Sequence, residues 1–151
     1  MLKMTKRLFH FSDDPTIEVF DPRPVRIPTH RPQGMNWLNG PLVWAIDGTH
    51  SPLYLFPREC PRIIMWQTPE SVAADADRFL EPTARMTAYA EKDWELRIKE
   101  GFLFRYELPT SFFDDLGDAG MNVARIRVRP LSCARLSDLT SQLAAAKVKL
   151  R

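Results

Sequence analysis

Leu8-Phe9-His10-Phe11-Ser12 and Leu42-Val43-Trp44-Ala45-Ile46-Asp47 decide the fold class through what lies between them. In the first, Leu8, His10 and Ser12 alternate with Phe9 and Phe11, the period of a strand. Asp13-Asp14-Pro15 stops it, and Asp47-Gly48 stops the second. Residues 13–40 carry prolines at 15, 22, 24, 28 and 32, with Gly34 and Gly40. Proline fixes φ and has no N–H to donate, so neither a helix nor a central strand fits there. The stretch also holds Ile17, Val19, Phe20, Val25, Ile27, Met35 and Trp37, apolar anchors that a disordered linker lacks. It reads as an ordered, extended segment wrapped on the body. Two strands joined without a crossover helix argue against a doubly wound parallel sheet.

Outward from there, His50 to Phe56 reads as a short helix or turn, with Pro52 suited to a first helical turn. Residues 62–67 read as a buried strand. Thr68 is placed to cap a helix with Pro69 at its first position and Glu70 in its first turn, and Val72, Ala76, Phe79 and Leu80 follow at helical spacing. Met86 to Ala90 reads as a short strand, Lys92 to Lys99 as a helix stopped at Gly101, and Phe102 to Leu108 as a strand. Ser111 to Leu116 is expected to be a short helix. Residues 121–128 read as an imperfectly alternating strand with a bulge, and Leu131 to Leu136 as another. Ser137 is expected to cap a last helix with Leu139, Leu143 and Ala146 inward, before an edge strand at Val148 to Leu150. The sum is an α+β chain, residues 1–151 as a single domain, with a compact mixed or antiparallel sheet and short flanking helices.

Length and composition agree with that. A chain of 151 residues, 44% hydrophobic and 26% charged, fits one soluble domain. The net charge of +2 is too small to argue for nucleic acid. Lys3, Lys6, Arg7, Arg23, Arg26 and Arg31 precede the second strand, and Arg125, Arg127, Arg129 and Arg135 come late. These are solvated faces or, alternatively, a phosphate-binding surface; RNA-end processing is a third, weaker reading of the late arginines. Two cysteines do not make a disulfide framework. No apolar run resembles a signal peptide or approaches a membrane span, so a cytoplasmic protein with reduced thiols is expected.

The three histidines and nine of the 13 prolines lie in the first 66 residues. His10, His30, His50 and Cys60 match no zinc spacing, so no metal site is expected. Cys60 sits beside Glu59, and a neighbouring carboxylate raises a thiol pKa, which fits a structural cysteine better than a nucleophile. There is no glycine-rich phosphate loop. Asp13-Asp14 and Asp114-Asp115 are adjacent in sequence and cannot face each other on one element, so they read as turn and cap residues. What remains is His10 with Ser12, then Trp44, Asp47, Tyr54 and Arg58. A lone imidazole on an apolar strand is either a satisfied core residue or a ligand-facing donor flanked by aromatics.

The motifs Leu8 to Ser12, Pro22-Arg23-Pro24, Leu42 to Asp47, Leu53-Tyr54-Leu55-Phe56-Pro57, Phe104 to Pro109 and Val128-Arg129-Pro130 resemble a family of small uncharacterised bacterial proteins. More distantly, the chain resembles the ADP-ribosyltransferase-like fold, whose members often begin with a strand bearing a histidine before a small polar residue. That resemblance implies His10 at the nicotinamide ribose of NAD and Tyr54 near the nicotinamide. The ligand, NAD or an ADP-ribose-like nucleotide, would lie between His10, Ser12, Trp44 and Tyr54, with Arg58 near a phosphate. The family also places a glutamate or glutamine on a late strand. Residues 121–128 supply neither, and Glu107, on an earlier strand, is the substitute catalytic carboxylate. The rival function is a non-enzymatic module that binds a small ligand or a protein. The oligomeric state is not legible.

Overall fold

A computed structural model describes residues 6–151, so Lys3 lies outside the described residues. The fold is α+β, with nine strands in two sheets and three short α-helices among the described residues. The chain forms two compact units, each from two separated segments. One comprises residues up to Ser51 with Phe104–Ala134; the other comprises Pro52–Leu103 with Arg135–Arg151.

Most of a six-stranded sheet lies in the first unit, the exceptions being Phe102–Leu103 and Arg135–Ser137. Its strands are β1 (Leu8–Ser12), β2 (Val43–Asp47), β5 (Phe102–Leu108), β6 (Asp114–Asp115), β7 (Met121–Ala124) and β8 (Ser132–Ser137), in the order β6-β7-β2-β1-β5-β8. Its central pairings, β1 with β2, β1 with β5 and β2 with β7, are antiparallel. The registers fix which side chains share a face, since successive residues point opposite ways. Leu8 lies opposite Asp47 and Leu108, and His10 opposite Tyr106. Ala45 lies opposite Asn122. One face therefore presents Leu8, His10, Val43, Ala45, Asp47, Tyr106, Leu108, Asn122 and Ala124. Phe20 and Val128 pack on its apolar part. The other face presents Phe9, Trp44, Ile46, Glu107 and Val123, and Leu38 and Leu42 join Val123 in a second cluster there.

The proline-rich segment is pinned as expected. Phe20 exchanges both backbone hydrogen bonds with Val128, and Arg23 does so with Leu42. Asn39 ties the intervening loop by accepting from Thr29 N–H and donating to its carbonyl. One turn does coil: Asn36–Asn39 is a 3₁₀ turn, fitted between Pro32 and Pro41 where no proline interrupts.

The second unit holds a three-stranded sheet of β3 (Arg62–Met65), β4 (Met86–Ala90) and β9 (Val148–Leu150), with β4 central. β3 is antiparallel and β9 parallel to β4. The three helices are α1 (Ala73–Phe79), α2 (Glu95–Glu100) and α3 (Leu139–Ala145). Ile98 of α2 and Leu139 and Leu143 of α3 are buried.

Several expectations fail in detail, among them the strand expected over residues 121–128, which ends at Ala124. β3 is an edge strand, and Ile63 on it is 64% exposed rather than buried. Thr68 caps no helix: Thr68 to Ser71 closes into a turn through Ser71 N–H to the Thr68 carbonyl, and α1 starts later, behind Val72, with none of its residues buried. Residues 111–116 give no helix, because Asp114–Asp115 pairs as a strand with β7. Asp138, not Ser137, caps α3. It adopts the left-handed conformation, and its carboxylate accepts from Ser141 N–H.

Candidate functional site

Of the seven residues singled out by sequence, His10, Ser12, Trp44, Asp47 and Glu107 belong to the first unit, and Tyr54 and Arg58 to the second. His10 is half-buried on β1. Its Nδ1 lies 3.2 Å from the Trp44 carbonyl, which can only accept, so Nδ1 carries the proton of that bond. Its ring stands 4.7 Å from the Phe20 ring at 59°. Ser12 Oγ accepts from the Asp14 N–H at 3.1 Å, so this hydroxyl shapes the turn that ends β1.

The sheet does not bring Trp44 and Glu107 to His10. What reaches the imidazole is the Trp44 main chain; the indole belongs to the opposite face, in the cluster with Leu38, Leu42 and Val123. Glu107 sits opposite Phe9, again on the face away from His10. Arg7 grips both its oxygens, at 2.7 and 3.1 Å, and those hydrogen bonds hold the carboxyl below the usual glutamate range. Arg7 and Arg105 both lie over the Phe9 ring, at 5.1 and 4.8 Å.

His10's face carries a polar knot that the sequence reading did not assemble. Asp47, at the end of β2, accepts at one oxygen from both the backbone N–H and the Nδ1 of His50, each at 2.8 Å. The turn Asp47-Gly48-Thr49-His50 makes this possible, since an aspartate side chain readily accepts from the backbone just ahead of it. Gly120 runs directly against the pair. Its φ is +77°, and a Cβ there would lie 2.5 Å from Asp47 Oδ1 and 2.6 Å from His50 Nδ1. The Gly120 carbonyl accepts from Asp47 N–H and from Asn122 Nδ2. Asn122, 1% exposed, accepts from Lys6 Nζ at 2.7 Å, and Lys6 also pairs with Asp115 at 2.9 Å. That lysine, then the Gly117 N–H, holds the Asp115 carboxyl below its ordinary range. The legible signal was an aspartate closing a strand, a glycine after it and a histidine three residues on; the part played by Lys6 and Asn122 needed the strand registers.

In the second unit, Tyr54 ends a 3₁₀ turn, Ser51–Tyr54, and is 39% exposed. Arg58 is exposed on the following turn. The organised cation of this stretch is Arg62. It donates to the Leu53 and Cys60 carbonyls at 2.8–3.2 Å and stacks 4.9 Å from the Phe56 ring centre. A cavity of about 420 Å3 between β3 and α1, lined by Ile64, Trp66, Val72, Ala76, Phe79 and Leu80 among others, contains neither Tyr54 nor Arg58. Among the described residues, no three His, Cys, Asp or Glu side chains gather in a set that could hold a metal ion. No helix among them is long and apolar enough to cross a membrane.

Residues 9–151 match the model of a family of unknown function (DUF6886). No curated protein and no solved structure matches the chain. The chain belongs to this DUF6886 family.

Proposed function

We propose that this member of the DUF6886 family binds an ADP-ribose-like nucleotide, with NAD as a candidate, as a degenerate relative of the ADP-ribosyltransferase-like enzymes. One observation supports the reading: by strand register His10 on β1 and Asn122 on β7 lie on the same face of the sheet, with Ala45 of β2 opposite Asn122. The resemblance asks for a histidine on the first strand and a glutamate or glutamine on a late one. Here the late strand offers an amide. An amide brings no negative charge to a cationic transition state, and this one, 1% exposed, is held by Lys6 and the Gly120 carbonyl. Glu107, the substitute carboxylate, faces away from His10 and is spent on Arg7. Binding without transfer follows.

Calorimetric titration with ADP-ribose and NAD, together with an assay for released nicotinamide, tests this. The expected result is binding of at least one of the two with no nicotinamide released. Nicotinamide release would make the protein an enzyme, and absence of binding to both would remove the nucleotide reading.

A protein-interaction module is the second reading, and the second unit favours it. β3 is an edge strand exposing Ile63, and α1 leaves Val72 60% and Phe79 38% exposed. Edges and apolar patches of this kind take partner chains.

A further inference from the structure

We infer that the cavity between β3 and α1 is a docking groove for an extended basic segment of another protein, which adds a strand to β3 and sets an apolar side chain in the cavity. The inference rests on the protein-interaction reading and names the partner's chemistry.

The groove lies wholly within the second unit. β3 pairs with β4 on one side, and among the described residues no further backbone hydrogen bond engages Ile63, Ile64 or Met65. Alternate residues of an edge strand turn N–H and C=O outward, a template for another strand. Ile64, Met65 and Trp66 line the cavity in succession. Successive strand residues face opposite ways, so a cavity that meets all three reaches the rim of the strand and not one face alone. Its other walls include the apolar Val72, Ala76, Phe79 and Leu80, and its volume of about 420 Å3 admits a large side chain.

Charge selects the occupant. Glu70 and Asp75 line the cavity, and no lysine, arginine or histidine does. Among the described residues neither carboxylate has an ion-pair partner. Arg78 of α1 stacks on the Phe79 ring, 5.2 Å from its centre. Apolar walls beside unmatched carboxylates suit a partner that carries lysine or arginine on the same face as an apolar residue. A second copy of this chain fits worse, since pairing β3 with β3 gathers the Glu70 and Asp75 of both copies at one seam, like charge against like.

The probe is a capped peptide, Thr-Lys-Thr-Leu-Thr-Lys-Thr, which when extended carries lysine, leucine and lysine on one face. One control has glutamate for lysine and the other has serine for leucine. Each is titrated by NMR into the parent and into the double variant Glu70→Gln, Asp75→Asn, with amide exchange at Ile63 to Met65 followed in the complex. The parent should bind the lysine–leucine peptide about tenfold or more tighter than either control. Exchange on β3 should slow, and the double variant should lose the preference over the glutamate peptide. Equal affinity for the lysine and glutamate peptides with β3 protected, or a preference that survives in the double variant, overturns the basic partner and leaves the protein-interaction reading standing. Equal affinity for the leucine and serine peptides overturns the role of the cavity. Binding that leaves β3 exchange unchanged overturns the groove. A dimer by sedimentation, with β3 protected as protein concentration rises, makes the occupant a second copy, which overturns the proposal but not the reading. No peptide bound by a monomeric parent defeats both.

Discussion

The phenol of Tyr106 holds the main chain of Asp14: its Oη donates to the Asp14 carbonyl at 2.5 Å and accepts from the Ile17 N–H at 3.1 Å. Tyr106 is 1% exposed, and its ring meets Phe20 edge-on at 5.3 Å. One side chain thus anchors the start of the proline-rich segment to β5. Tyr106→Phe keeps the ring and strands two backbone groups. It should lower stability by about 1–3 kcal/mol, and it should open residues 14–17 to amide exchange. An unchanged denaturant midpoint and unchanged exchange would refute the clamp.

Gly120→Ala should destabilise the first unit by more than an ordinary surface change, on the order of 1–3 kcal/mol. The position combines a left-handed φ with a Cβ driven into Asp47 and His50. Gly34→Ala is the control, because its φ of +81° is as unusual but nothing lies within 4 Å of the added carbon. The difference between the two melts reads the steric part alone, and equal losses would remove the close approach as its cause.

Removing the His10 side chain should cost about 1–3 kcal/mol, because the imidazole serves the Trp44 carbonyl and packs on Phe20. Thermal melts of His10→Ala against the parent measure it. A loss within about 0.5 kcal/mol, the range of surface substitutions, would show that the ring carries little of the fold.

Glu107 and Asp115 both have carboxyls held low, by Arg7 and by Lys6. A carboxyl whose folded pKa lies below its unfolded value stabilises above the unfolded pKa and loses that contribution as pH falls through the folded one. The melting temperature should therefore fall below about pH 4. Glu107→Gln should flatten that fall while leaving neutral-pH stability nearly unchanged, since an exposed pair contributes about 0–1 kcal/mol. An acid slope identical in parent and variant would sink the assignment.

Both thiols are free: Cys60 is buried and Cys133 exposed. Burial pushes the Cys60 thiol up, with Arg62 opposing and Glu91 adding to the rise. A thiol reagent at neutral pH should label one cysteine quickly in the native protein and the second only on unfolding. Two equally fast reactions would contradict the burial.

Several strands could be read from sequence because alternation records burial directly. β1, β2 and β5 fall within a residue of their expected bounds, and the prolines of residues 13–40 excluded a crossover helix. Helix starts were harder. Thr68-Pro69-Glu70 has the chemistry of a helix entry, yet Thr68 to Ser71 closes a turn on itself. Asp138 outcompetes Ser137 as a cap by adopting a conformation that sequence does not announce. The site suffered most. Alternation tells that His10 and Phe9 face opposite ways, but only register tells that Glu107 sides with Phe9 and Asn122 with His10.

The division of each unit between two chain segments bears on biosynthesis. β1 can find β2 early, but its other neighbour, β5, is translated only after β3, α1, β4 and α2. β4 waits longer, since its parallel partner β9 ends at Leu150, one residue from the end of the described chain. Pairings of such sequence separation form slowly. On the ribosome, the second sheet would remain incomplete until Val148–Leu150 clear the exit tunnel, and a truncation ahead of Val148 would leave β4 with an open edge.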